Sequence, residues 1–98
     1  MAAYLVLNID VTNPERYAEY VKVAGATVEQ YGGRYLVRGG KAETLEGSLA
    51  PKRFVVLEFP SLERAKAWWN SAEYRQPKAI RQSTSTSDVI LVEGVAAP

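Results

Sequence analysis

Residues 3–10 alternate between two faces. Leu5, Leu7 and Ile9 share one that is wholly apolar; Tyr4, Val6, Asn8 and Asp10 share another that turns from apolar to polar along its length. A period of two with one apolar side predicts a strand covered on that side. Thr12-Asn13-Pro14-Glu15 predicts a helix start: Asn13 caps, Pro14 suits the first turn, and Glu15 meets the positive end of the helix dipole. Tyr17, Tyr20, Val21, Ala24, Val28 and Tyr31 then recur at helical spacing as one stripe to be buried. Gly32-Gly33 stops this helix with a left-handed cap, and Gly25 weakens its middle by about 1 kcal/mol relative to alanine.

Residues 34–38 predict a second strand, with Arg34, Leu36 and Arg38 on one face and Tyr35 and Val37 on the other; Gly39-Gly40 ends it. Residues 41–52 form a loop too long for a tight hairpin, of a length that often folds over a site or a partner. The third strand, 53–59, is apolar on both of its faces apart from one carboxylate, Glu58. Phe54, Val56 and Glu58 point one way; Arg53, Val55, Leu57 and Phe59 point the other. Pro60 ends it and Ser61 caps a helix whose apolar face is Leu62, Ala65, Trp68 and Trp69. The adjacent tryptophans diverge by about 100° on a helix, which sends one to the core and the other toward the surface. Residues 71–74 read as a break and turn, 77–81 as a short helix with proline near its start, 83–87 as a polar loop or strand lead-in, and 88–93 as the last strand. Strand-helix-strand-strand-helix-strand is the ferredoxin-like split βαβ arrangement, an α+β fold with an antiparallel four-stranded sheet and its helices on one face; residues 1–98 make a single such domain.

Two helices cover one side of such a sheet. Val6, Leu36, Phe54, Val56 and Ile90 or Val92 make the other side apolar as well, and leaving them wet forgoes about 1.5–3 kcal/mol each. The expected remedy is a second copy packed sheet to sheet, a homodimer; the alternatives are cover by the long loop or a small partner's docking surface. A net charge of +1 offers no basic stripe for nucleic acid. No apolar run approaches the roughly 18 residues of a membrane span, and nothing resembles a signal peptide, so a cytoplasmic protein without membrane contact is expected. The chain has no Cys and no His. It therefore lacks a thiolate nucleophile, the commonest general base near neutral pH and the usual zinc and haem ligands. No cofactor or metal is expected, although carboxylate-only metal sites stay open.

Gly32-Gly33-Arg34-Tyr35-Leu36-Val37-Arg38-Gly39-Gly40, Arg53-Phe54-Val55-Val56-Leu57-Glu58-Phe59-Pro60-Ser61, Ala65-Lys66-Ala67-Trp68-Trp69-Asn70-Ser71-Ala72-Glu73-Tyr74 and Arg81 before Val89-Ile90-Leu91-Val92-Glu93-Gly94 carry a resemblance. Together, over about residues 3 to 94, they resemble the domain-of-unknown-function family 1330 of the dimeric α+β barrel superfamily. The resemblance implies two ferredoxin-like subunits packed sheet against sheet, each with a pocket. It implies kinship with antibiotic-biosynthesis monooxygenases, muconolactone isomerases, chlorite dismutases and haem-degrading enzymes, and no established reaction. Members often carry an aromatic residue before the third strand, where this chain has Leu49-Ala50.

The alternation places Asn8, Arg38 and Glu58 on the face turned from the helices, where they would converge on a ligand inside a barrel dimer. Arg38 would clamp a carboxylate, Glu58 would act as general base, and Asn8 would orient a carbonyl. The structural alternative is an Arg38–Glu58 ion pair, with Asn8 satisfying a backbone group. Phe54 faces the same interior. Arg81, followed by hydroxyls, is a candidate anion ligand at the rim, or else a solvated cation. Tyr20 is the phenol to watch in a tyrosine stripe that reads as core more than as catalyst. Two functions follow: a cofactor-free enzyme or binder of a small aromatic or carboxylate-bearing molecule, and a non-catalytic structural or interaction homodimer.

Overall fold

The computed structural model describes residues 1–96. Its elements are β1 (Ala3–Val11), α1 (Pro14–Gln30), β2 (Arg34–Gly40), β3 (Arg53–Phe59), α2 (Leu62–Trp69), α3 (Ala72–Thr84) and β4 (Ser85–Glu93). The strands form one antiparallel sheet in the order β2-β3-β1-β4. All three helices lie on one face, and the Cα atoms span only 17 Å in the thinnest direction, two layers. The fold is the ferredoxin-like one, with a third helix.

The core is the helix-facing half of the pattern. Leu5, Leu7 and Ile9 of β1 and Val55, Leu57 and Phe59 of β3 are buried under Tyr17, Tyr20, Ala24 and Val28 of α1 and under Trp68 and Tyr74. Trp68 and Tyr74 stack with ring centroids 3.9 Å apart, and the Trp68 indole N–H donates to the Thr27 hydroxyl at 3.0 Å. Trp68 is thus the core tryptophan, and Trp69 is half-buried.

Each helix begins where a side chain accepts from a free amide. Asn13 accepts from the Arg16 N–H, Ser61 from Arg64 and Ser71 from Tyr74. At the end of α1, Gly33 N–H bonds Val28 O and Gly32 N–H bonds Glu29 O, both at 2.9 Å, with Gly32 at φ +81°. That pair of bonds is the Schellman closure, and it needs a residue that tolerates positive φ.

Three local expectations change. The expected break at 71–74 is the first turn of α3, because Ser71 caps at once; the helix starts five residues before Pro77. Pro77 then sits inside the helix, forfeiting the bond to the carbonyl four residues back. The polar run 83–87 is divided: α3 reaches Thr84 and β4 starts at Ser85. The third change concerns β2. Tyr35 lies opposite Leu57 but Val37 lies opposite Val56, so Leu36 is an extra, bulged residue. Strict alternation had put Arg38 with Arg34; the bulge turns Arg38 to the helix face instead, opposite Val55.

Candidate functional site

The bulge separates the residues that alternation had grouped. On the open face, Glu58 pairs with Arg34 rather than Arg38, Nε to Oε1 at 2.6 Å. The Arg34 hydrogen bond holds the Glu58 carboxyl below its usual range, with a smaller contribution from the Tyr4 phenol. Asn8 lies beside Phe54 in register. Its side-chain oxygen accepts from Lys52 N–H at 2.8 Å, and its nitrogen donates to Ala50 O at 3.3 Å. Asn8 therefore anchors the end of the 41–52 loop, and Phe54 lies beneath Leu45, Leu49 and Pro51 of that loop. Asn8, Glu58 and Phe54 share a face, but the Asn8 amide and the Glu58 carboxylate are both engaged, and Arg38 is on the other side of the sheet.

The helix side holds a different constellation, a cleft between α1 and strands β2 and β3. Tyr17 and Tyr20 approach from α1, Tyr35 and Arg38 from β2, and Arg53 from the start of β3. The Arg38 guanidinium lies 4.2 Å from the Tyr35 ring centroid, within cation–π range. Arg53 lies 5.9 Å from the Tyr17 centroid and presses against Gly39, where a Cβ would collide with the guanidinium. Gly39 sits at φ +73°, so it supplies both the left-handed backbone and the room. Arg53 Nε is buried and has no hydrogen-bond partner among the described residues. The ion pairs among the described residues are Arg16–Glu19 and Arg34–Glu58, so neither Arg38 nor Arg53 pairs with a carboxylate of those residues. Burial pushes the Tyr17 phenol up against the opposing pull of Arg53, and pushes Tyr35 up against that of Arg38.

The inner cleft leaves the centre of a water molecule only about 20 Å³ to occupy, room for a water and no metabolite. It opens past Tyr17, Val21 and Arg53 into a broader, solvent-open groove walled by Val11, Pro14 and Ala18, which by the same measure holds about 600 Å³. Arg53 stands at the junction of the two.

Deeper in the core, the Tyr20 and Tyr74 hydroxyls are 2.9 Å apart, and Arg81 Nε donates to the Tyr74 oxygen at 3.4 Å. Burial pushes the Tyr20 phenol far above its ordinary range, so it stays neutral and is a donor or acceptor, not a base. Arg81 is almost wholly buried against Trp69, not a solvated rim cation. Tyr20 and Arg81 are thus joined through Tyr74, apart from Asn8, Glu58 and Phe54. Among the described residues no three Asp or Glu side chains gather to hold a metal ion, and no helix is long and apolar enough to cross a membrane.

Arg53, Tyr35 and Tyr74 were missed by sequence reasoning. Arg53 had a signal, a cation on the same strand face as Val55, Leu57 and Phe59. Tyr74 had none once its helix was read as a turn.

A helix-covered antiparallel sheet with a cleft under α1 defines the class, a ferredoxin-like α+β domain. The chain belongs to the family described as domain of unknown function (DUF1330), which it matches over residues 2–95. Similar solved structures include a protein of unknown function, RPA0582, from Rhodopseudomonas palustris (TM-score 0.79, 18% identity, covering 98% of this chain and 84% of that one). A dimeric ferredoxin-like protein of unknown function from Jannaschia aligns with TM-score 0.71 and 10% identity over 96% of this chain and 100% of that one. SnoaB, a cofactor-independent oxygenase from Streptomyces nogalater, aligns with TM-score 0.65 and 12% identity over 98% and 95%. At these identities the likeness is one of fold. Comparison with curated proteins gives no match.

Proposed function

We propose that this protein is a homodimeric binder of a small carboxylate with an aromatic or other apolar body, held at the cleft under α1. The observation that carries the reading is the buried, unpartnered Nε of Arg53, in a guanidinium that faces tyrosines and no carboxylate. Arg53 is half-buried, and the buried edge of its guanidinium lacks an acceptor that an anion would supply. Arg53 would take the carboxylate, with Arg38 as the second cation at the cleft. The groove beyond, lined by Val11, Ala18 and Val21, would take the apolar body. Glu58 and Asn8 have structural roles in this reading, the first in an ion pair and the second in holding the loop.

A second reading, cofactor-free oxygenation of such a ligand, is favoured by the buried Tyr20–Tyr74 phenol pair behind the cleft. The resemblance in fold to a cofactor-independent oxygenase supports it.

The test is a thermal-shift screen of aromatic and aliphatic carboxylates beside their amides, on the wild type and on Arg53→Met and Arg38→Met. Carboxylates should raise the melting temperature and amides should not, and Arg53→Met should reduce the shift. Hits that persist unchanged in Arg53→Met, or an absence of hits among the acids, would overturn the reading.

A further inference from the structure

We infer that the groove between α3 and the outer edge strand β4 is a second site, for a small carboxylate carrying a flat apolar group, with Arg81 as its anchor. Arg81 is 2% exposed, and the one hydrogen bond of its side chain among the described residues is the long one from Nε to Tyr74. It has no ion-pair partner there. Its guanidinium lies 5.6 Å from the Trp69 ring centroid and lines an open groove with a volume of about 360 Å³, at the low end of small-molecule sites. A guanidinium this deep calls for an anion to compensate it.

The rest of the groove favours one kind of anion. Lys78, three residues before Arg81 and outside the groove's lining, adds positive potential nearby. Its Nζ lies 4.5 Å from the Trp69 ring centroid and donates to the Trp69 carbonyl at 2.8 Å. Desolvation, and then repulsion from Arg81, lowers its pKa. Ser85 and Ser87 line the groove from β4, their oxygens 3.0 Å apart. The Ser85 proton goes to the Arg81 carbonyl, so Ser87 donates to the Ser85 oxygen, and a bound carboxylate would draw that Ser87 proton to itself. Val89 and Trp69 supply the apolar walls. One planar fork and one hydroxyl match the two coplanar oxygens of a carboxylate. A phosphate dianion would ask for more donors than these.

The site is tested on the full chain with sodium benzoate as probe, benzamide as its neutral isostere and inorganic phosphate as competitor. The readout is the Trp69 indole N–H resonance, assigned with Trp69→Phe. Benzoate should move that resonance saturably and benzamide should not. Arg81→Lys should weaken binding by about tenfold or more, Ser87→Ala should weaken it by a smaller factor, and Arg53→Met should leave it unchanged. A stationary Trp69 signal, equal binding of benzamide, or equal competition by phosphate would refute the assignment. If Arg81→Lys does not fold, Ser87→Ala decides, and unchanged affinity there also refutes it. Loss of the Trp69 response in Arg53→Met would instead assign the binding to the α1 cleft and overturn the second site.

Discussion

Glu58 shows how one side chain can carry two readings until its neighbour is known. With Arg34 at 2.6 Å, its carboxylate is a partnered charge. Because its folded pKa is depressed, the stability it contributes is present above the unfolded pKa, about 4.3, and is lost as the pH falls through the folded one. Glu58→Gln should therefore flatten the acid limb of a stability–pH profile and leave its neutral limb parallel to the wild type; denaturant melts across that range would show it. An unchanged acid limb would mean that the pair is not formed in solution. Asn8 bears on the long loop. Asn8→Ala removes two bonds to backbone groups and should cost about 1–2 kcal/mol. The change should also speed hydrogen exchange at the Lys52 amide, which loses its acceptor.

At the scale of elements, the bulge at Leu36 decides which arginine lines which face. Nothing in Arg34-Tyr35-Leu36-Val37-Arg38 announces a two-against-one pairing, because a bulge is a property of a strand and its partner together. The helices were more legible. The α1 stripe, its Asn13 cap and its glycine stop all lie where the spacing of Tyr17, Tyr20, Ala24 and Val28 puts them. The start of α3 carried a readable cap signal, Ser71 followed by Glu73, which the later Pro77 obscured. Gly25 gives a test of whether the middle of α1 is under steric demand. A Cβ there would meet Arg38 Nη2 at 3.6 Å and Tyr35 at 3.9 Å, ordinary contacts. Gly25→Ala should stabilise the fold by about 0.5–1 kcal/mol, raising the melting temperature by roughly 2–8 °C. A destabilised variant would show that Arg38 needs closer access to the helix.

At the scale of the molecule, the sheet is covered on one side only. The open face carries Val6, Val37, Val56, Ile90 and Val92; Ile90 is 58% exposed and Val92 46%. Leu45, 90% exposed, extends from the loop that Phe54 underlies. We propose that a second copy covers this face about a two-fold axis, as a patch of this kind on so thin a slab favours. Sedimentation equilibrium at micromolar concentration should give a dimer for the wild type and a folded monomer for Ile90→Glu. A wild-type monomer would exclude the sheet-to-sheet assembly.

By itself the sequence determined the four strands, the helices α1 and α2, the helix-covered core and the presence of a second apolar sheet face. Those follow from periods of 2 and 3.6 and from caps, which are local and repeat along the chain. Tertiary structure alone decided which charges meet. Arg34 rather than Arg38 reaches Glu58, Arg53 is left without a carboxylate beside Tyr17, and Arg81 is buried behind Trp69. Those outcomes depend on register between strands and on packing across layers, where one inserted residue reverses a face and no local pattern records it.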